Sequence, residues 1–375
     1  MVRFLHTADW QIGMKAARVG SKADQVRQER LRAAERVIET ARKEDVDFVV
    51  VTGDLFEHNA VDRSLIQRIV DILGRFPKPV FLIPGNHDPY EPGSVWHHAA
   101  WRTYPQLHVL IEPQPTEVGD VVLYPCPVHD KFARRDPTGW IDHRDSSKIG
   151  IGLAHGSVEG VVTQDATLPI ARQAADRSRL DFLALGHWHS VSLFESAGGA
   201  PRMAYCGTHE PTGFGERQSG FVLLVEIARP GAPPEVQPRQ TGRLQWHQED
   251  CSVTSDTDLE LLVDKLNRWE RPEETLLSVK VEGLLTPNSG VLLNRIEELI
   301  QARFFWAELD ATRLRAGPQD ATWIENLPAG MLREVAARLL RLADPACTER
   351  PEGATPQIAS MALSELYRFV SESES

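Results

Sequence analysis

Residues 2–8 read as a short buried strand, after which Leu31, Ala34, Ile38 and Ala41 recur at helical spacing and residues 47–52 return to a strand pattern. Leu65, Ile66, Ile69, Val70 and Leu73 then mark a second amphipathic helix, and residues 79–83 a third strand. Strand, helix, strand, helix, strand predicts parallel βαβ units in a layered α/β core. Apolar runs at 121–123, 149–154, 182–185, 202–205 and 221–227 extend that core. The Pro/Gly-rich stretch 229–234 lies between strand-like segments and so predicts a long hairpin turn instead of a linker. Near residue 253 the register changes. A helix at 256–269, a strand at 275–285, a helix at 291–303 and a strand at 305–314 predict a compact αβαβ module. Beyond Pro318 the chain reads as helical, at 327–343 and 357–369 around a breaker-rich gap, and residues 371–375 are expected to fray. The division expected is therefore 1–253, 254–316 and 317–375.

Five short blocks of metal-binding residue types interrupt this pattern: Asp9-Trp10-Gln11, Gly53-Asp54, Gly85-Asn86-His87-Asp88, His155-Gly156 and Gly186-His187-Trp188-His189. Each follows a predicted strand, and ligands of open parallel sheets bind beyond the carboxyl ends of strands. One histidine alone would count as structural, but an ordered series on five strand ends argues for a metal site. Mixed carboxylate, imidazole and amide donors suit Mn²⁺, Fe²⁺, Zn²⁺ or Mg²⁺, and the nitrogen ligands favour a transition metal. Two such ions about 3.5–4 Å apart stabilise both the attacking and the leaving oxygen of a phosphodiester. Hydrolysis of a phosphate ester is the reaction class these residues point to. Trp10 and Trp188, between ligands, either stack a terminal base or pack beneath the metal shelf.

Composition adds constraints. At 42% hydrophobic and 25% charged over 375 residues the chain is an ordinary globular one. It lacks an apolar run of membrane-spanning length, and its start enters a strand pattern directly, so a cytoplasmic protein with no membrane association is expected. Cys126, Cys206, Cys251 and Cys347 are scattered, which predicts reduced thiols and no zinc knuckle. A formal charge of −12 excludes a whole-molecule positive field. Attraction to a nucleic acid would have to come from local basic loops, the metals or a partner. Lys15, Arg18 and Lys22 follow the first block, and Lys131, Arg134, Arg135, Arg144 and Lys148 precede residue 149 among interleaved acidic residues. Either group could contact phosphates or form a solvated charged face.

The ligand series resembles the calcineurin-like metallophosphoesterase superfamily. Within it, residues 6–13 (HTADWQIG), Gly53-Asp54-Leu55-Phe56 and the segment from Tyr205-Cys206-Gly207 through Glu216 resemble the Mre11/SbcD family of DNA repair nucleases. That resemblance implies an α/β fold, a layered metallophosphoesterase core with central β-sheets flanked by helices, plus a small α+β DNA-capping domain and a helical tail. It implies that Asp9 ligates the first metal, Asp54 bridges both, Asn86, His155 and His187 bind the second, and His189 completes the first. His87 would be the non-ligand catalytic histidine, stabilising the transition state or protonating the leaving 3′ oxygen. Asp88 would orient His87, or else serve as a turn carboxylate. Apart from the resemblance, Lys15 and Arg18 are candidate substrate contacts, and Glu57 and His58, just after Gly53-Asp54, either approach the substrate from the second loop or serve as solvated helix-cap residues. The cofactors implied are two Mn²⁺ ions. The partners implied are DNA, a Rad50/SbcC-type SMC-like ATPase gripped by the apolar faces of the last two helices, and a second copy of the chain.

Gln11 departs from the family, where a histidine is expected. Its amide oxygen can coordinate a divalent ion but is a weaker donor to transition metals, so the first site should be weaker. Three readings follow: an active enzyme with a labile first metal, a ligand supplied by another loop, or a degenerate subunit. The leading functional expectation is a Mn²⁺-dependent 3′–5′ DNA exonuclease, with endonuclease activity a further option, in a cytoplasmic, nucleoid-associated repair complex. Its rivals are a small-molecule or cyclic-nucleotide phosphodiesterase and a catalytically weakened DNA-binding subunit.

Overall fold

In the strand Phe48–Thr52 every position is buried, yet alternate side chains serve different cores. Phe48 and Val50 face a second sheet, while Val49 and Val51 face two helices. That alternation generates the architecture of the larger unit. The computed structural model describes residues 1–161, 167–285, 288–316, 321–351 and 353–373. These form two compact units, Met1–Trp246 and His247–Ser375.

In the first unit one six-stranded sheet runs, edge to edge, Glu235–Gln240, Phe221–Ile227, Val2–Thr7, Phe48–Thr52, Val80–Ile83 and Leu107–Val109. The second runs Val191–Glu195, Pro201–Cys206, Phe182–Gly186, Ile149–His155, Val121–Cys126 and Thr116–Val118. The inner strands of both are parallel, as the βαβ reading requires. The sheets are nonetheless mixed. Phe221–Ile227 returns antiparallel beside Val2–Thr7, and the expected 229–234 turn closes its hairpin with Glu235–Gln240. Phe4, Phe48 and Phe81 from one sheet pack with Leu123, Ile151 and Phe182 from the other. The outer face of the first sheet is covered by the helices Ala23–Lys43 and Arg63–Gly74, and that of the second by a shorter cluster around Ala174–Arg177. Central sheets flanked by helices are thus the observed fold.

The first helix begins about two turns before its apolar spacing becomes visible. Arg30, in those turns, is buried, and its guanidinium is satisfied by the carbonyls of Trp10, Glu210 and Pro211.

The second unit holds a three-stranded sheet in the order Gln245–Val253, Thr275–Leu285, Trp306–Ala316, the first strand beginning with the last two residues of the first unit and the last two strands parallel, with the helices Asp256–Asn267 and Ser289–Arg303 packed on it. A reciprocal Ser255/Asp258 capping box starts the first of these helices. The helices Thr322–Asn326, Met331–Ala343 and Pro356–Ser373 follow and share a small core of Ile324, Leu327 and Ala336 with Leu363 and Leu366. Pro318, and Glu374 and Ser375 of the run expected to fray, lie outside the described residues. No helix among the described residues is long and apolar enough to cross a membrane.

Candidate metal centre

The strand ends deliver their side chains to one place through unusual backbone. Asp9, Gln11, Asp54 and His187 all have positive φ, at 54°, 48°, 51° and 108°. Non-glycine residues held there cost free energy and persist where surrounding structure over-determines them, which is common at functional sites. Gly85 and Gly186 are required for a different reason: a Cβ at Gly85 would collide with Asp54, and one at Gly186 with the Thr52 carbonyl.

The donor atoms converge closely. Ligand atoms of Asp9, Asp54 and His155, all buried, lie within 4.8 Å of one another. Asn86 Oδ1 stands 2.7 Å from His155 Nε2 and 2.8 Å from His187 Nδ1. His155 Nε2 is also 3.4 Å from Asp54 Oδ2. The backbone N–H of His187 donates to both oxygens of Asp9, and that of His87 to Asp54 Oδ1. Two histidines have their tautomers fixed from behind. The Thr52 carbonyl accepts from His155 Nδ1 at 2.9 Å and Glu216 accepts from His189 Nδ1 at 2.9 Å, which leaves each Nε2 to face the site. Gln11 is buried beside them, its amide nitrogen donating to Asp54 Oδ2 at 3.2 Å. Rotation about its terminal bond puts the amide oxygen in that place.

The electrostatics suit a cation. Burial pushes the Asp9 carboxyl up to about 6 against the opposing pull of His155 and His189. Burial also opposes the charged form of Asp54, yet the charge and hydrogen bond of His155 hold its carboxyl well below the usual range. His155, disfavoured by burial, is lifted by Asp54 to about 9. With both ring nitrogens facing oxygens, it stands as an imidazolium where a metal would supply the charge. Burial and repulsion from His155 lower His187 to about 4, leaving a neutral donor. Buried carboxylates, an amide oxygen and imidazole nitrogens, with His155 giving up its second proton to a bound ion, form a donor set fitted to divalent transition ions.

His87 stays exposed, with Nδ1 held by the Glu57 carbonyl at 3.0 Å. Of the two readings of Asp88, its contacts are those of a turn carboxylate. Its carboxylate accepts from the backbone of Gly85 at 2.7 Å and of Phe56 at 3.0 Å, so it ties two loops together. It holds the turn that carries Asn86 and His87, without touching the imidazole that the resemblance implied it would orient.

A groove of about 700 Å³ opens from Gln11, His87 and His189, and Lys15, Arg18 and His58 line it. The second basic cluster does not reach this groove: Arg144 pairs with Asp142 and Lys148 with Glu117. Trp10 is buried, its indole donating to Thr7, and Trp188 packs on the core of the second sheet, so both tryptophans act as packing. Sequence reasoning did not single out Glu216 and Thr212 behind His189, or Phe214 and Trp246 in the groove wall. The only signal was that Glu216 closes the Tyr205–Glu216 segment of the family resemblance.

A curated relative, the SbcD component of the nuclease SbcCD of Staphylococcus saprophyticus, is 23% identical over 248 residues, which are 57% of this chain and 64% of the relative. The chain therefore matches less than two thirds of that relative's length. The relative supports the resemblance to the Mre11/SbcD family. A solved structure, TT1561 of Thermus thermophilus, is 12% identical and covers 64% of this chain and 99% of its own, with a TM-score of 0.43. The calcineurin-like phosphoesterase profile matches residues 2–191. By that match the chain belongs to the calcineurin-like phosphoesterase family, whose members hydrolyse phosphoesters with divalent metals.

Proposed function

We propose that the chain is a Mn²⁺-dependent DNA nuclease, a 3′–5′ exonuclease with endonuclease capacity, and the nuclease subunit of a Rad50/SbcC-type repair complex. One observation carries this reading: the donor atoms of Asp54, Asn86, His155 and His187 converge, and Gln11, hydrogen-bonded to Asp54, lines with His189 a groove that also holds the exposed His87 and basic residues. Asp9, Gln11 and His189 would hold one ion, Asn86, His155 and His187 the other, with Asp54 shared between them. When bound, such ions stabilise charge on the attacking and leaving oxygens of a phosphodiester. The chain's own residues supply the rest. The Glu57 carbonyl accepts from His87 Nδ1, which leaves Nε2 for the substrate; a His87 that carries a second proton, on Nε2, would deliver it to the leaving 3′ oxygen and return to the neutral Nδ1–H form. Lys15, Arg18 and His58 contact substrate phosphates, which answers the problem posed by a net charge of −12.

In this reading residues 254–316 cap the DNA and residues 317–375 bind the ATPase, in the cytoplasm and on the nucleoid, with two copies of the chain per complex. The exposed Met331, Leu332, Val335, Ile358 and Met361 on the tail helices support a partner there. The test is Mn²⁺-dependent cleavage of labelled double- and single-stranded DNA beside a small phosphodiester, with His87→Ala as control. DNA cleavage that His87→Ala lowers by about 10²–10⁴-fold supports the proposal. Turnover of the small diester with no DNA cleavage returns the chain to small-molecule chemistry.

A further inference from the structure

Part of the groove wall is aromatic. Phe214 and Trp246 meet at right angles, with centroids 5.0 Å apart and an interplanar angle of 84°, and each braces the other. The Arg18 guanidinium lies 4.5 Å from the Phe214 centroid. All three residues line the same groove as Gln11, His87 and His189. We propose that Phe214, Trp246 and Arg18 form a subsite for one unpaired nucleobase, next to the scissile phosphate. The inference rests on the DNA nuclease reading and specifies the state of the strand end it accepts.

Three features carry it. Phe214 lies on the turn between Thr212 and Glu216, both of which hydrogen-bond His189 Nδ1, at 3.1 and 2.9 Å. One short turn thereby fixes the aromatic wall and a candidate metal ligand together, so a base held on the wall sets where its phosphate falls. Half-buried rings beside a planar guanidinium match the flat, weakly polar face that every base presents, and stacking of this kind tolerates any sequence. The groove volume lies within the range of sites that enclose small molecules, about 300–1,000 Å³. A base stacked and paired within a duplex offers no free face to such a wall. The subsite therefore selects a frayed, single-stranded or extruded nucleotide.

The test compares oligonucleotides carrying a normal or an abasic residue at the cleaved position, using the full chain with Mn²⁺. In the wild type the normal residue should be favoured by about ten-fold in kcat/KM, chiefly through KM. In Trp246→Ala and Phe214→Leu that preference should fall towards unity, while Trp246→Phe should retain most of it. A terminal 2-aminopurine should be quenched on binding to the metal-free wild type and not on binding to Trp246→Ala. Equal handling of normal and abasic substrates by the wild type would overturn the subsite while leaving the nuclease reading intact. So would variants that lose activity on both substrates in the same proportion. A wild type that cleaves a small diester but no oligonucleotide would instead remove the nuclease reading, and the subsite with it.

Discussion

Replacing Glu216 should weaken one metal site and spare the other. Glu216 Oε1 accepts from His189 Nδ1 at 2.9 Å, and its second oxygen accepts from the Thr212 backbone at 3.0 Å and the Ser219 hydroxyl at 2.8 Å. Burial alone would lower His189, yet the hydrogen bond from this carboxylate raises it above its ordinary value and makes it a stronger donor. Partners of this kind are worth about 10–100-fold in metal affinity, or roughly 1.4–2.7 kcal/mol. Gln11 places the effect toward the upper end, because a neutral amide leaves more of the first ion's binding to His189 and the carboxylates. Glu216→Gln keeps an oxygen for the Nδ1 proton and loses the charge, so about ten-fold is expected. Glu216→Ala loses both and should approach a hundred-fold. Calorimetric titration of Mn²⁺ into the metal-free chain, resolving two sites, provides the assay. An unchanged weaker site in Glu216→Ala, or a shift confined to the site of Asn86, His155 and His187, would refute the reasoning.

Gln11→His should lower the Mn²⁺ concentration that half-saturates phosphodiester turnover; equal midpoints in variant and wild type would mean that the amide is no handicap. Metal binding to the second site should release a proton, because His155 is held as an imidazolium up to about 9 in the metal-free chain. A raised histidine value contributes its charge pair below that point and loses it as pH rises through it, so apparent affinity should climb about ten-fold per unit between roughly pH 6 and 8. A flat profile measured over that range would contradict the imidazolium. On the tail, Leu332→Glu combined with Ile358→Glu, both exposed, should abolish co-elution with a Rad50/SbcC-type ATPase while small-diester turnover continues. Retained co-elution would place the partner elsewhere.

The ligand blocks were legible because each stands at the end of an apolar run, and the parallel inner strands carry such runs to one edge. What they do not encode is how a side chain far along the chain supports them. For Asp88 the resemblance implied a partner of His87 and the local sequence a turn carboxylate; its bond to the Gly85 backbone is the local one, while its bond to Phe56 is a tertiary contact that no local pattern announces. Glu216 is likewise separated from His189 by two strands' worth of chain. The start of the helix Ala23–Lys43 was hidden because Glu29 and Arg30 occupy buried positions where periodicity looks for apolar side chains. The antiparallel placement of Phe221–Ile227 is a topological choice that the same apolar run would permit on either sheet.

In the proposed site Asp9, Gln11, Asp54, Asn86, His155, His187 and His189 hold two ions as a pair. Frozen-solution electron paramagnetic resonance of the chain at saturating Mn²⁺ tests this directly. A paired site should give an exchange-coupled signal from ions about 3.5–4 Å apart, weakened in Asp54→Asn. A spectrum of isolated Mn²⁺ ions at saturation would contradict it.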